Sequence, residues 1–341
     1  MTDIPETMRA LVQLHDGFGD DPSGQVLSDL VPYLAYREDV PVPQPGPGEA
    51  LIRVSRAAVN PSDVAFIKGI YGQARQQGIA AGFEGTGTVV AGETPLVGSR
   101  VSFFGSGTGT WADYALTRAD GLIPVRPDVS DDDAAGLIVN PITAAAMFEV
   151  VRAAGAKSFV ATAAASQLGK FLIALGRDEG VPCIAHIRRS AAAPALTALG
   201  AVDVLATDAP GYAARLAAAM EAHAPTILLD AVAGPASAEV FFAMPKGARW
   251  VCYGRLSSDP PVLDQMAQFI FAGKRIEGFW LTSWFTDMPR DGVGSVIARV
   301  QDRFAKGTWK TEISATIPLA DAMAQLPAAY GEKDSKVLIA P

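Results

Sequence analysis

The apolar positions along the chain change rhythm twice. Over the first third, short apolar runs at 50–54, 87–90 and 100–104 are broken by Gly and Pro, most densely in PVPQPGPGE at 41–49. Runs of that length between turn-forming residues predict β-strands. At 131–133 three aspartates open an Ala-rich segment, where carboxylates suit the positive end of a helix dipole.

From residue 158 a regular alternation sets in. Strand-like runs at 158–163, 182–187, 203–207, 226–231, 248–253 and 275–281 alternate with helical segments at 168–178, 192–199, 212–222, 236–243 and 264–272. Such alternation predicts an α/β fold, a Rossmann-type doubly wound parallel sheet with helices on both faces. The tail changes style again, to a helix at 293–305, a strand at 313–317, a helix at 320–330 and a strand at 336–339. With sheet-like material at both ends, the expected organisation is a Rossmann domain at 128–281 inserted in a β-rich domain made of 1–127 and 282–341.

Composition narrows the function classes. A length of 341 residues suits two domains, and 49% apolar with 19% charged residues is a globular balance. The net charge of −8 leaves no basic footprint for nucleic acid or an anionic membrane. No apolar stretch is long enough to predict a membrane-spanning helix. The start, MTDIPETMRALV, has neither a basic region nor an apolar core of the signal-peptide kind. Cys183 and Cys252 are too few for a disulfide framework. The expected location is the cytoplasm.

The turn after the first strand of the alternation reads Ala163-Ala164-Ala165-Ser166-Gln167-Leu168-Gly169 and leads into a helix. In a dinucleotide fold that turn presents backbone N–H groups and a helix N-terminus to a pyrophosphate. Here the Gly-rich fingerprint is reduced to A-x-S-x-x-G, so its position in the alternation carries more weight than its letters. The second strand runs into Arg188-Arg189-Ser190, with no acid to accept from a ribose 2′-hydroxyl. Guanidinium groups suit a 2′-phosphate instead, which favours NADPH over NADH.

Several segments together resemble the zinc-independent branch of the medium-chain dehydrogenase/reductases: AAVNPSDVAFIKGIYG at 57–72, GFEGTGTVVAGE at 82–93, GSRVSFFGSGTGTWADYA at 98–115, LIVNPITAAAMFE at 137–149 and GFWLTSW at 278–284. Within that branch the chain looks most like 2-enoyl thioester reductases and NADPH:quinone oxidoreductases. The resemblance implies that the β-rich domain is GroES-like and catalytic. Zinc-dependent relatives place Cys or His where this chain has the Asn60–Ser62 segment, Phe83 and Asn140. Two cysteines and three histidines cannot furnish the ligand sets, so no metal site is expected. His15, His186 and His223 read as surface or turn residues.

Without a Lewis acid, conjugate reduction is the easier chemistry, because the enolate formed needs only hydrogen-bond donors and one proton. The resemblance carries the catalytic tyrosine of enoyl thioester reductases to Tyr71, a phenol that stays protonated at neutral pH. Asn60 and Trp284 are the other expected catalytic or substrate-side residues. For the cofactor it implies Asn140, Thr143, Ala165, Ser166, Gln167, Leu168, Arg188, Arg189, Ser190, Tyr253, Gly254, Phe279, Trp280, Leu281 and Lys336. Lys336 sits where a phosphate-contacting lysine would be, a surface lysine being the plainer reading. The expected function is NADPH-dependent reduction of an activated C=C bond, as in a 2-enoyl thioester. The alternatives are a quinone or enone reductase and a non-catalytic NADPH-binding redox sensor. The expected partners are a small substrate with an activated alkene or quinone and a second copy of the chain. The resemblance implies a homodimer, paired through an edge strand at 249–253 or 275–281.

Overall fold

A computed structural model describes residues 4–331 and 334–341. The chain divides into two compact units, Met1–Asn140 with Ile297–Pro341, and Pro141–Val296.

The first unit is built on strands. β1 (Thr7–Gln13) and β2 (Leu34–Pro41) pair antiparallel. They are followed by β3 (Glu49–Val59), α1 (Pro61–Ile67), β4 (Glu84–Gly92), β5 (Arg100–Phe104), β6 (Tyr114–Arg118), β7 (Ile123–Pro124) and α2 (Asp131–Ala135). The pattern located β3, β4 and β5 but not β1 or β2, whose apolar positions are split by Arg9, Arg37 and Glu38. The aspartates at 131–133 open a helix of only five residues, because the chain then enters a π-type turn at Ile138–Ile142 that contains Pro141.

The second unit alternates as the pattern predicts. It contains α3 (Thr143–Ala153), β8 (Phe159–Thr162), α4 (Gln167–Asp178), β9 (Cys183–Ile187), α5 (Ala193–Leu199), β10 (Asp203–Ala206), α6 (Tyr212–His223) and β11 (Ile227–Asp230). Then come α7 (Pro235–Ala243), β12 (Arg249–Cys252), α8 (Met266–Ala272), β13 (Arg275–Gly278), α9 (Leu281–Asp287) and the start of α10 (Arg290–Ala305), the chain passing to the first unit at Ile297. The six strands lie parallel in the order β10-β9-β8-β11-β12-β13, the doubly wound arrangement. Successive residues point to opposite faces. Val160, Ile184, Leu228 and Trp250 meet Leu216, Met220 and Phe241 of α6 and α7 on one side. On the other, Gly176 of α4 lies so close to Phe159 and Cys183 that a Cβ there would stand 3.1 Å from the Phe159 ring.

The chain closes with β14 (Ile313–Pro318), α11 (Ala322–Tyr330) and β15 (Lys336–Ala340). β15 pairs antiparallel with β3, so strands from both ends of the chain share the sheet β14-β15-β3-β4-β5-β7. The compact units meet the chain later than the expected boundaries after 127 and 281. Hydrogen bonds account for the shift. Ser102 Oγ donates to Ala134 O at 2.7 Å, holding α2 to β5, and Gln301 of α10 bonds both Pro124 and Arg126.

Two strand expectations need correction. The run at 275–281 ends as a strand at Gly278, and Leu281 begins α9, so Trp280 caps a helix and Trp284 lies inside it. The stretch at 249–253 is not a sheet edge, because β12 lies between β11 and β13. No helix among the described residues is long and apolar enough to cross a membrane.

Candidate active site

In the first unit two of the expected residues, Asn60 and Lys336, meet in a buried polar knot. Asn60, at the end of β3, has no solvent exposure; its Nδ2 donates to Glu84 Oε1 at 2.8 Å and its Oδ1 accepts from Lys336 Nζ. Glu84 Oε2 accepts from the Ile138 and Val139 N–H groups at 3.0 and 2.8 Å. Lys336 is only 5% exposed, so the surface reading of this lysine is wrong. β15 carries it into the interior beside Asn60, where burial lowers its pKa and the Glu84 and Asp63 carboxylates oppose that shift. Burial likewise raises Glu84, against Lys336 and three N–H donors.

Asp63 completes the knot. The N–H groups of Asn60 and Phe83 each donate to it at 2.7 Å, and burial pushes its pKa up to about 7, with the Glu84 charge adding to the effect. Its place in α1 fixes the start of that helix and the start of β4 together. No local pattern signals this arrangement, since Asp63, Glu84 and Lys336 lie on three separate elements.

An aromatic group gathers around Phe83, the residue before Glu84. Phe83 stacks on Phe104 with centroids 5.4 Å apart and planes 12° apart. Tyr71 lies against Phe83 at 5.1 Å and edge-on to Phe66 at 6.5 Å. Tyr71 is half-buried, in the loop after α1. Of the positions aligned with metal ligands, one is therefore an amide held by Glu84 and Lys336, and one is an aromatic ring bearing Tyr71. The third, Asn140, is buried in the π-type turn.

In the second unit the chain passes from β8 into α4 through a tight turn. Ala163 takes a left-handed backbone, φ 47°. Ser166 caps α4, accepting from Gly169 N at 3.2 Å. A Cβ on Gly169 would stand 2.5 Å from Ala164 Cα, so the helix can approach the turn this closely only with glycine there. Ala165 is half-buried, and Gln167 and Leu168 are buried in the first turn of α4. Thr143, also buried, is the first residue of α3.

Arg188, Arg189 and Ser190 are exposed past the end of β9, where the Ser190 N–H donates to Asp208 at 2.9 Å. His186, one strand position earlier, is buried rather than superficial: its Nε2 meets the Tyr212 hydroxyl at 2.9 Å, and burial lowers its pKa to about 4. It sits within β9, packed beneath α6.

Sequence reasoning missed Asp230, the residue that organises the carboxyl ends of three strands. Fully buried at the end of β11, it accepts from Thr162 at 2.5 Å, Ser237 at 2.9 Å, Trp250 Nε1 at 2.8 Å, and the Val232 and Ala233 N–H groups. The available signal was an acid ending the otherwise apolar run ILLD. Its backbone oxygen also receives the Tyr253 N–H at 2.9 Å. The Tyr253 hydroxyl is buried without a hydrogen-bond partner among the described residues. Gly254 follows, and a Cβ there would stand 2.8 Å from Ala231 O. Phe279 is half-buried, its N–H donating to Cys252 O at 2.8 Å; Trp280 is exposed, and Leu281 and Trp284 are half-buried on α9.

Comparison with known proteins agrees with this architecture. Residues 46–127 match the alcohol dehydrogenase GroES-like domain. Over 333 residues, 95% of this chain and 86% of the relative, the sequence is 28% identical to the mitochondrial enoyl-[acyl-carrier-protein] reductase of Bos taurus. A Mesorhizobium loti protein assigned as an NADPH:quinone reductase is 46% identical with both chains fully covered and a TM-score of 0.95. The mitochondrial 2-enoyl thioester reductase heterodimer of Candida tropicalis shares the fold at a TM-score of 0.79 and 19% identity, covering 98% of this chain and all of that one. A fold match along the whole length at 46% identity, with a GroES-like segment in the first unit, shows that the chain belongs to the medium-chain dehydrogenase/reductase family.

Proposed function

We propose that this protein is an NADPH-dependent reductase of an activated C=C bond, with a 2-enoyl thioester as its substrate class. The observation that carries the reading is Tyr71 held against Phe83, whose backbone N–H is anchored on the buried Asp63 carboxylate. A phenol fixed in this way can donate a hydrogen bond to an enolate oxygen or deliver the α-carbon proton. Asn60 and Lys336 act as positioning groups.

The second unit fits a dinucleotide. The capped N-terminus of α4 offers N–H groups to a pyrophosphate, and Gly169 allows the close approach such a turn requires. Tyr253 has a buried hydroxyl without a partner among the described residues, a group that a ligand can satisfy. Arg188, Arg189 and Ser190 supply cationic and hydroxyl groups for a 2′-phosphate. Asn140, Thr143, Ala165, Gln167, Leu168, Gly254, Phe279, Trp280 and Leu281 complete the proposed cofactor contacts, and Trp284 the substrate side. When bound, NADPH supplies the hydride that adds to the β-carbon.

A second reading, reduction of quinones, is favoured by the full-length similarity to the Mesorhizobium loti protein. NADPH oxidation followed with crotonyl-CoA, a simple enone and a benzoquinone in parallel, against NADH, separates the two. Turnover with crotonyl-CoA and preference for NADPH support the thioester reading; turnover with benzoquinone alone supports the other. NADPH binding without any turnover would point to a sensor.

We also propose a cytoplasmic homodimer. β13 is an edge strand with Ile276 exposed, and α8 exposes Met266, Ile270 and Phe271 beside it in sequence. An unpaired edge with apolar neighbours favours pairing with its own copy across a two-fold axis.

A further inference from the structure

A long excursion, residues 14–33, joins β1 to β2, and two buried cations lash it to the segment that carries Tyr71. Arg75, 9% exposed, donates through Nε to Gly17 O at 3.0 Å, through Nη1 to Ile67 O at 3.2 Å, and through Nη2 to Phe18 O at 3.3 Å. Lys68 donates from Nζ to Ser23 Oγ at 2.6 Å and to Val26 O, with Asp21 at 3.6 Å and the Tyr33 ring beneath it. The two backbones also touch directly, the Gly19 N–H donating to Gly69 O at 2.8 Å. Both residues at this crossing must be glycine: a Cβ on Gly19 would stand 2.7 Å from Lys68 O, and one on Gly69 would stand 2.5 Å from Gly19 N. Gly69 is two residues from Tyr71.

Burying an arginine and a lysine is unfavourable unless their donors are met, and here the excursion supplies the acceptors for Lys68 and for Arg75 Nε and Nη2, with Ile67 O meeting Nη1. Yet much of what the excursion holds in place is not core. Leu27 and Leu30 pack inward, whereas Phe18 is 66% exposed, and Leu14, Val26 and Val31 are exposed too. The Phe18 carbonyl is bonded to Arg75 and the next N–H to Gly69, so an aromatic side chain is displayed on a fixed backbone beside the tyrosine loop. Rigid display of an apolar side chain next to a reacting group is the arrangement that positions a substrate.

We propose that the 14–33 excursion selects the substrate, with Phe18 as the side chain that meets its apolar portion, an acyl chain or a ring substituent. The proposal rests on the reading of Tyr71 given above. It makes Phe18 indifferent to small acceptors and favourable to long ones.

The test is Phe18→Ala, assayed for NADPH-driven reduction of crotonyl-CoA and 2-dodecenoyl-CoA, and of benzoquinone and a decyl-substituted benzoquinone, with Tyr71→Phe alongside. In whichever class the wild type reduces, the long-to-short ratio of kcat/KM is expected to fall on the order of tenfold, the scale of one buried phenylalanine. The KM for NADPH and the melting temperature should stay unchanged, because Phe18 is exposed. An unchanged ratio overturns the proposal even where Tyr71→Phe abolishes turnover, and then the catalytic reading stands alone. A changed ratio with quinones and no turnover of enoyl-CoA overturns the thioester reading and keeps Phe18. A wild type that reduces none of the four overturns both.

Discussion

The backbone N–H of Phe83 donates to Oδ1 of Asp63 at 2.7 Å, so the ring on which Tyr71 rests is anchored to a carboxylate with no solvent exposure. Asp63 Oδ2 accepts from the Asn60 N–H, so one side chain sets both the entry to α1 and the start of β4. Glu84 and Lys336 bear on Asp63 from β4 and β15, and Asp63 in turn acts on Tyr330 of α11.

That anchor gives the fold a pH dependence of definite sign. Burial and the Glu84 charge push Asp63 up to about 7, whereas an unfolded aspartate titrates near about 3.9. Between those values the folded state binds more protons, so stability falls as pH rises through the window. The contribution is present in full below about pH 4 and is lost as pH passes about 7. Asp63→Asn cannot ionise. Urea unfolding of both proteins from pH 5 to 8 should show the variant's deficit shrinking as pH rises. A deficit constant across that range contradicts the assignment. The offset itself is expected, because an amide NH2 would face a backbone donor.

Lys336→Met should destabilise the protein, since it removes the cation whose field favours the buried Glu84 carboxylate and the donor that meets Asn60 Oδ1. Adding Glu84→Gln should recover part of the loss, so that the double variant is more stable than the sum of the single changes predicts. The NADPH dissociation constant should be unchanged once the protein is folded. Loss of NADPH affinity without loss of stability would instead place the lysine on a phosphate.

For the cofactor, replacing Arg188 and Arg189 together by Ala should weaken NADPH binding about 10–100-fold, the scale of one or two hydrogen bonds to a charged group. NADH binding should be nearly unaffected. Equal losses for both cofactors, measured by fluorescence titration, would show that the turn does not read the 2′-phosphate.

At the exposed edge of the parallel sheet, Ile276→Glu with Phe271→Asp should give a monomer at concentrations where the unmodified chain is a dimer in sedimentation equilibrium. The same mass for both proteins would place the contact elsewhere, or show that there is none.

The parallel sheet was legible because its information is local. The strands from β8 to β12 are short runs with mostly apolar residues, and α5 and α8 end at glycines in the left-handed region, Gly200 with φ 117° and Gly273 with φ 63°. The run GFWL misled for the same reason. Its apolar letters continue a strand, whereas the chain turns after Gly278 and Trp280 caps α9. β1 and β2 escaped notice because charged residues interrupt their apolar positions and one sheet partner is 20 or more residues away in sequence. The tight turn from β8 into α4 was legible from its place in the alternation, and the proposed role of Tyr71 rests on the NPSD and GIYG segments around it.

The supports of the site were not legible, because their meaning is made by the fold. Lys336 and Asn60 are 276 residues apart, and only the pairing of β15 with β3 brings them together. Asp230 reads in sequence as a polar residue after a strand, and becomes a hub only when β8, β11 and β12 lie side by side. Arg75 looks like a loop cation until the excursion after β1 is seen to supply its acceptors.

The most direct test of the account is the steady-state rate of NADPH oxidation with crotonyl-CoA for the wild type and Tyr71→Phe. If the Tyr71 hydroxyl serves the enolate, kcat should fall by about 10²-fold or more, the usual contribution of a positioned acid, while the NADPH dissociation constant and the melting temperature hold. A Tyr71→Phe enzyme that turns over within about twofold of the wild type would contradict the central claim, leaving Tyr71 as a packing residue on Phe83 and the proton donor to be sought elsewhere.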